Sequence, residues 1–274
     1  MRNLKCVLSL LIFSLFASSQ EVGLQLYSLR NQFKTDVPGT LKLISDWDIN
    51  KLEGGDTYGL SNEEFNKLLE VNNLKVVSIG ASFEDLESNL DNVIANAKNH
   101  GAKYVMCAWV PHVDNKWDLE ETKYATDVFN QAGKQLKDYG LVLAYHAHGY
   151  EFRPYKNGTL FDYMAENAVD FKFELDVYWA HHGGADPLAL MKKYPSKFVL
   201  LHLKDMEKGV KGNNTGHEDV ETNVVLGTGQ IDMVGVIAEA KKLGIEYMFI
   251  EDESSRVVEQ VPQSMAFLKS LKEK

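Results

Sequence analysis

Histidine and acidic side chains stand at the ends of four short apolar runs in the second half of the chain. They are His146, Asp176, His202 and Glu251. The first two intervals, 30 and 26 residues, each match one strand-and-helix unit, and the third, 49 residues, is one unit plus a long loop. If the runs are neighbouring parallel strands, these side chains converge and can bind a divalent ion such as manganese, zinc, cobalt or iron(II). The spacing therefore predicts a metal site.

Two further side chains share the faces that carry the histidines, because residues two apart on a strand point the same way. His148 lies beyond His146, and Lys204 lies beyond His202. Each can act as an acid, a base or a donor to a developing oxyanion. For Lys204, a solvated ion pair with Asp205 is an equally good interpretation.

The elements that must position these residues alternate short β-rich runs with longer amphipathic stretches, as βα units on a parallel sheet do. Eight units follow residue 20, and the last helix is predicted at Val257–Leu271. The predicted strands are Val22–Tyr27, Lys51–Glu53, Lys75–Ile79, Tyr104–Cys107, Val142–His146, Phe171–Leu175, Phe198–His202 and Tyr247–Glu251. No glycine-rich dinucleotide motif follows the first strand, which disfavours an open doubly wound sheet. The sequence therefore predicts a single-domain α/β fold, a (β/α)8 TIM barrel, with its active site at the carboxyl ends of the strands.

The first 19 residues resemble a secretory signal peptide. Arg2 and Lys5 precede the apolar run Val7–Phe16, and Ala17-Ser18-Ser19 supplies small residues for cleavage. The run is about half the length that spans a bilayer, so a retained anchor is the weaker alternative. We expect residues 1–19 to be removed, residues 20–274 to form the barrel, and the protein to be exported, most simply to a periplasm.

The charge of the chain limits its partners. It has 29 basic and 39 acidic residues, a net charge of −10, and the predicted cleavage takes the charge to −12. Such a surface repels phosphate groups, so we expect no nucleic-acid partner and, after cleavage, no membrane partner. Cys107 then remains alone, which excludes an intrachain disulfide. The oligomeric state stays open.

Several segments together carry a family resemblance. They are Gly23-Leu-Gln-Leu-Tyr-Ser-Leu-Arg30, Tyr145-His-Ala-His-Gly-Tyr-Glu-Phe152, Phe173-Glu-Leu-Asp-Val-Tyr-Trp179, Gly183-Gly-Ala-Asp-Pro187, Leu201-His-Leu-Lys-Asp-Met206 and Leu226-Gly-Thr-Gly229. In them the chain resembles the xylose-isomerase-like barrels, which include sugar phosphate isomerases/epimerases, inosose dehydratases, ketose 3-epimerases and keto-glycoside lyases. The likeness runs from about Val22 to Leu271. It implies a divalent metal and a small-molecule carbohydrate substrate.

Similarity to the ketose epimerases implies that Asp176, His202 and Glu251 are the metal ligands of strands six, seven and eight. The fourth position differs, because His146 stands where the epimerases have a glutamate on strand five. An imidazole can still bind the metal, but it is a different base. One of the two opposed carboxylates of an epimerase is therefore missing.

Three other positions bear on the same comparison. Trp179 stands where the epimerases have a substrate-contacting histidine, and Gly80 stands where many relatives have histidine. Glu151 corresponds to an epimerase glutamate that turns back over the pocket. The resemblance thus supports the superfamily more strongly than an exact epimerase activity.

Five further side chains are candidate substrate contacts. Strand one supplies two inward residues, strand two supplies a carboxylate, and strands four and six each end in a tryptophan whose face can stack on a sugar ring. They are Gln25, Tyr27, Glu53, Trp109 and Trp179. Plain packing, or a loop hydrogen bond for the carboxylate, is the alternative.

Two groups of loop residues complete the set. The remaining histidines, expected on the surface or in loops, are His100, His112, His181 and His182. The irregular stretch Met206–Thr228 follows strand seven and is either a surface loop or a lid over the site.

The predicted chemistry is the removal of a proton beside a ketone, which a metal bound to the carbonyl oxygen makes more acidic. The available bases are Glu251, Glu151 and His148. Return of the proton gives isomerisation or epimerisation, whereas expulsion of a β-leaving group gives a lyase or dehydratase. Loss of one opposed carboxylate favours keto-glycoside lyase or hydratase activity, and the expected export favours a substrate without phosphate.

Three alternatives stay open at this point. A sugar isomerase or 3-epimerase uses the same site. A metal-dependent phosphodiesterase shares the barrel, but it needs further histidine ligands and a basic groove, which the acidic charge and Gly80 oppose. A sugar-binding barrel without catalysis is the non-enzyme alternative.

Overall fold

Residues 20–113 and 116–272 are the part of the chain that the computed structural model describes. Its barrel strands are β1 Glu21–Gln25, β2 Lys51–Glu53, β3 Lys75–Gly80, β4 Tyr104–Cys107, β5 Val142–His146, β6 Lys172–Asp176, β7 Phe198–Leu203 and β8 Tyr247–Ile250. All neighbouring pairs are parallel, and β1 pairs with both β2 and β8, so the barrel is closed. The (β/α)8 prediction is confirmed. The predicted signal peptide lies outside the described residues.

Helices connect the strands and cover the outside of the barrel. They are α1 Arg30–Phe33, α2 Val37–Asp46, α3 Asn62–Val71, α4 Phe83–Ser88, α5 Leu90–His100, α6 Leu119–Lys137, α7 Leu160–Asn167, α8 Val177–His182, α9 Pro187–Lys193, α10 Met233–Leu243 and α11 Val257–Lys272. Asp118 and Glu121 form a capping box that begins α6. Along α6, buried Ala125, Phe129 and Leu136 recur at helical spacing, so this face packs on the barrel.

Among residues 20–113 and 116–272, none of these helices combines the length and the apolar character needed to cross a membrane.

The interior of the barrel has an apolar lower part and a polar upper part. Ala144 and Leu200 belong to a small buried apolar cluster that β3, β4, β5, β7 and β8 share. Two positions further along the same strands stand His146 and His202, both buried. Since alternate residues share a face, one strand supplies both layers. The polar residues therefore lie above a layer of buried apolar side chains.

The strand bounds agree with the prediction within one residue, except at the end of β1. The side-chain oxygen of Gln25 accepts the N–H of Tyr27 at 3.0 Å and starts a short 3-10 helix, Leu26–Leu29. Tyr27 therefore leaves the strand, contrary to the prediction. Glu251 lies one residue beyond β8, yet its N–H still donates to the carbonyl of Leu203 at 3.2 Å.

Asp205 organises the start and the end of the long loop after β7. Its buried carboxylate accepts the backbone N–H groups of Met206, Gly227, Gly229 and Ile231 at 2.9–3.2 Å. A Cβ on Gly229 would lie 2.3 Å from this carboxylate, so the approach requires glycine. Asp205 thus binds backbone, and the interpretation in which it pairs with a neighbouring lysine is wrong.

Removal of this carboxylate should destabilise the protein strongly. Asp205→Ala leaves four backbone donors without an acceptor, two of them in buried and two in partly buried hydrogen bonds. The cost should be roughly 4 kcal/mol in the free energy of unfolding, and Asp205→Asn should cost about half as much. Urea denaturation of the metal-free protein measures both. Asp232→Ala, which removes one exposed helix cap, is the control and should cost about 1 kcal/mol. Equal effects at positions 205 and 232 would contradict this assignment.

Candidate metal centre and active site

The four predicted metal ligands meet inside the upper end of the barrel. Candidate ligand atoms of His146, Asp176, His202 and Glu251 all lie within 4.8 Å of one another. His146 Nε2 is 3.2 Å from Asp176 Oδ2, and His202 Nδ1 is 3.3 Å from Glu251 Oε2. All four side chains are buried. The cluster arises because Asp176 and His202 are direct partners across β6 and β7.

This cluster fits a divalent cation. Two imidazoles and two carboxylates form a donor set that borderline ions accept. His202 Nδ1 is buried and has no hydrogen-bond partner, although carboxyl oxygens of Glu251 and Asp176 lie 3.3 and 3.7 Å away. A buried nitrogen in that position costs free energy unless a ligand occupies its lone pair. The described residues are therefore compatible with one divalent ion held by these four side chains.

The electrostatics of the cluster point the same way. Burial would raise the pKa of Asp176, but the hydrogen bond from His146 and the nearby imidazole of His202 outweigh it and lower this pKa to about 2. Burial would lower the pKa of His202, but the carboxylates of Glu174 and Glu251 raise it well above its usual value. A cation that binds here therefore replaces one of the two ring protons of the His202 imidazolium.

Lys204 lies above the cluster as a fully buried ammonium group. Its Nζ is 2.6 Å from Glu253 Oε1 and 3.3 Å from Glu251 Oε2, and it also lies 5.5 Å from the centre of the Trp179 ring. Burial alone would lower the pKa of Lys204, but the Glu251 and Glu253 carboxylates raise it. Lys204 is thus a fixed positive charge rather than the base that the sequence left open.

His148 is the candidate base that faces the cavity. Its ring packs 4.8 Å from that of His146 and 5.2 Å from that of Trp179. Burial, and next the charge of His146, lower the pKa of His148 well below its usual value. The ring is therefore neutral at pH 7 and can accept a proton.

Glu151 does not turn back over the pocket, and that prediction is wrong. It is fully buried, accepts the hydroxyl of Tyr145, and accepts the backbone N–H of His148 at 3.0 Å. Burial raises the pKa of Glu151 to about 7, although the Tyr145 hydrogen bond opposes the rise. The 3-10 turn Tyr150–Phe152 carries Glu151 away from the cavity, so Glu151 holds the backbone of His148 from the side opposite the cavity.

The predicted substrate contacts divide into two groups. Gln25, Tyr27 and Trp179 line a cavity of about 490 Å³ above the cluster, a volume typical of small-ligand sites. Trp109 lies at the edge of this cavity, with its exposed ring tilted 4.4 Å from that of a loop histidine, and substrate contact there stays a prediction. Glu53 is fully buried beneath the site, where it binds other side chains. The prediction that Glu53 contacts the substrate is therefore wrong.

The loop after β7 covers the cavity and supplies part of its wall. Gly216, His217, Glu218 and Val220 line the cavity from this loop. Glu218 Oε2 lies 3.0 Å from Nε2 of His182, which ends α8 and is fully buried, whereas we expected a surface or loop histidine. This geometry favours the lid over the surface-loop interpretation.

Sequence reasoning missed several of these residues for different reasons. Glu253 stands two residues beyond Glu251, so the alternation rule that identified His148 also indicates it. His217 and Glu218 come from an irregular loop, whose path no periodic pattern specifies. His182 pairs with Glu218 of that loop, so its role could not be predicted without the path of the loop.

The raised pKa of Glu151 predicts a pH-dependent stability. The folded state favours the neutral acid, so its contribution is complete below the ordinary value of 4.5 and is lost as pH rises through about 7. Glu151→Gln keeps a neutral side chain throughout. The free energy of unfolding of wild type, relative to the variant, should fall by about 3 kcal/mol between pH 4.5 and pH 8. Urea denaturation of both metal-free proteins tests this, and a constant difference would contradict it.

Comparisons with known proteins agree with this fold. The family described as "Xylose isomerase-like TIM barrel" matches residues 42–271. No curated protein matches the chain. A solved sugar phosphate isomerase/epimerase from Parabacteroides distasonis shares 23% identity over 92% of this chain and 94% of that one, with a TM-score of 0.74.

Two further solved structures show how varied the relatives are. The IolI protein with a bound zinc atom has 14% identity over 92% of this chain and 96% of that one, with a TM-score of 0.71. The probable 3-DHS dehydratase AsbF from Bacillus anthracis has 14% identity over 91% and 99%, with a TM-score of 0.69. At these identities the structures show a common fold. Because the family match spans most of the sequence, the chain belongs to the xylose isomerase-like TIM barrel family.

Proposed function

We propose that the protein is a metal-dependent enzyme that removes the proton beside the ketone of a keto-sugar, with a keto-glycoside lyase or hydratase as the favoured activity. The observation that carries the proposal is the buried four-residue cluster with a neutral histidine beside it at the floor of a cavity. A donor set of two imidazoles and two carboxylates suits manganese, zinc, cobalt or iron(II).

When bound by His146, Asp176, His202 and Glu251, the divalent ion supplies a Lewis acid for the ketone oxygen. His148 lies two residues beyond the end of β5, with its ring 4.8 Å from that of His146, and takes the α-proton onto its neutral ring. Lys204 holds a positive charge next to Glu251 and stabilises negative charge that develops above it. The loop that carries Glu218 forms one wall of the cavity.

One-sided proton removal supports elimination over epimerisation. Epimerisation needs a competent base on each face of the reacting carbon. In this cavity Glu251 and Glu253 pair with Lys204, Glu218 pairs with His182, and Glu151 lies behind the wall. His148 is then a base on the barrel wall with no competing ion pair. It takes the α-proton, the electron pair left on the carbon forms the new double bond, and the glycosidic oxygen of a keto-glycoside departs.

A sugar isomerase or epimerase is the second candidate, and one observation favours it. His217 lines the cavity from the loop and could return a proton from another direction than His148. The name of the Parabacteroides relative, a sugar phosphate isomerase/epimerase, leaves this candidate open as well.

We also propose that the substrate carries no phosphate and that the protein acts after export. Lys204, a buried cation next to the metal cluster, is already paired with two carboxylates. A phosphate would meet the acidic wall formed by Glu218, Glu251 and Glu253. Export rests on the N-terminal pattern alone, and a mature protein that starts at Gln20 in a periplasmic fraction would support it.

The test of the activity is incubation of the manganese- and zinc-loaded protein in D2O with 3-keto-glucosides and, separately, with free ketoses. We expect deuterium at the α-carbon together with release of the aglycone. His148→Gln should lower kcat by about 10²- to 10⁴-fold, the usual contribution of a general base. His112→Gln, a loop histidine that does not line the cavity, is the matched control and should retain activity.

Each other outcome selects an alternative. Deuterium uptake without aglycone release would replace the lyase with an isomerase or epimerase. Affinity for the sugar with neither exchange nor cleavage would leave a sugar-binding barrel. Full activity in His148→Gln would remove the base assignment.

A further inference from the structure

Two buried carboxylates lie one layer below the metal ligands. Glu174 precedes Asp176 by two residues on β6 and shares its inward face, and Glu53 ends β2. Glu53 is 0% exposed and Glu174 is 1% exposed, and neither lines the cavity. The barrel could have continued its apolar floor here, so two acidic groups at this depth call for a physical reason.

His202 connects this lower pair to the other three candidate metal ligands. Its Nε2 lies 2.6 Å from Glu53 Oε1 and 3.3 Å from Glu174 Oε2. Its Nδ1 faces the opposite way, 3.3 Å from Glu251 and 3.7 Å from Asp176. A neutral imidazole has one N–H, and the short contact to Glu53 keeps that hydrogen on Nε2. The lone pair of Nδ1 is then directed at the metal position.

Glu53 is itself held in place. Its Oε1 also accepts the side-chain amide of Gln25 at 2.8 Å. Its Oε2 and both carboxyl oxygens of Glu174 are buried and have no hydrogen-bond partner. A proton shared between the two carboxyl groups would pair two of these three oxygens and stiffen Glu53 under His202.

We propose that Glu53 and Glu174 are positioning residues that fix the tautomer and orientation of His202, so that Nδ1 is its metal-binding atom. The inference rests on the metal site of the proposed function and adds the residues that prepare it. Partners of this kind on the far nitrogen of a metal-binding histidine raise metal affinity by 10- to 100-fold.

A second cation between the same groups is the competing explanation, since Glu53, Glu174 and His202 also form a close cluster. The 2.6 Å contact between His202 Nε2 and Glu53 Oε1 is a hydrogen-bond distance. An ion bound to both atoms would hold them further apart, because each metal–ligand bond is about 2.0–2.2 Å long. The geometry therefore favours a shared hydrogen.

The first experiment measures zinc affinity by competition with a chromogenic chelator. Glu53→Leu and Glu174→Leu should weaken zinc binding, the former by 10- to 100-fold. Glu53→Gln and Glu174→Gln should bind within about threefold of wild type, because an amide can replace the hydrogen bonds. Glu239→Leu removes a buried carboxylate on α10, outside the barrel, and is the matched control with unchanged affinity.

The second experiment uses NMR to determine which ring nitrogen of His202 binds the metal and which carries the hydrogen. In zinc-loaded protein with ¹⁵N-labelled histidine, we expect His202 to show a metal-bound Nδ1 and a protonated Nε2 in slow exchange with solvent. In Glu53→Leu the Nε2 hydrogen should exchange faster. A residue that only stabilises the fold would change the unfolding temperature and leave this signal alone.

The outcomes separate the two proposals. Normal zinc binding in wild type that Glu53→Leu does not weaken, a metal-bound Nε2, or two zinc ions per chain would overturn this inference and leave the proposed function standing. Absence of zinc binding in wild type would overturn both.

Discussion

The structure depends on the mutual neutralisation of charges that the barrel has removed from water. Asp176, Glu251 and Lys204 are each almost fully buried, and an isolated charge at that depth would cost several kcal/mol. They persist because each carboxylate faces an imidazole or an ammonium group within 4 Å. The same requirement makes the site receptive to a divalent cation, which supplies positive charge where carboxylates converge.

The fold meets this requirement by dividing the barrel interior into layers. Apolar residues such as Leu200 fill the lower layer, the buried carboxylates Glu53 and Glu174 come next, and the four candidate ligands lie above them. Lys204 and His148 lie above the ligands, and the loop after β7 covers the cavity. The alternation of residues along each strand produces this order, so a few parallel strands define most of the centre.

Residues on the regular strands were predictable from the sequence. Alternation and spacing were enough to bring His146, Asp176, His202 and Glu251 together, and they also put Lys204 in the layer above. The prediction failed where the chain turns into a 3-10 helix, whereas Lys204 and Glu251, each one residue beyond a strand, still followed the alternation. Tyr27 sits in a 3-10 turn, and Glu151 follows another such turn away from the cavity.

Long-range pairs between loops were also beyond the reach of sequence reasoning. His182 and Glu218 lie 36 residues apart and meet only because the loop after β7 folds back. Glu53 illustrates another error, since a carboxylate at a strand end suggested a substrate contact, whereas it is fully buried and binds Gln25 and His202. Periodicity gives the face of a strand residue, but it does not give the path of a loop.

The central claim is that one divalent ion is held by the four side chains at the top of the barrel. The most direct test is anomalous diffraction from crystals of the full-length protein or its mature form, grown with manganese or zinc and measured at the absorption edge of the metal. The account predicts a single strong peak within bonding distance of His146, Asp176, His202 and Glu251. Crystals that show no peak at saturating metal, or a peak bound only by Glu53 and Glu174, would contradict it.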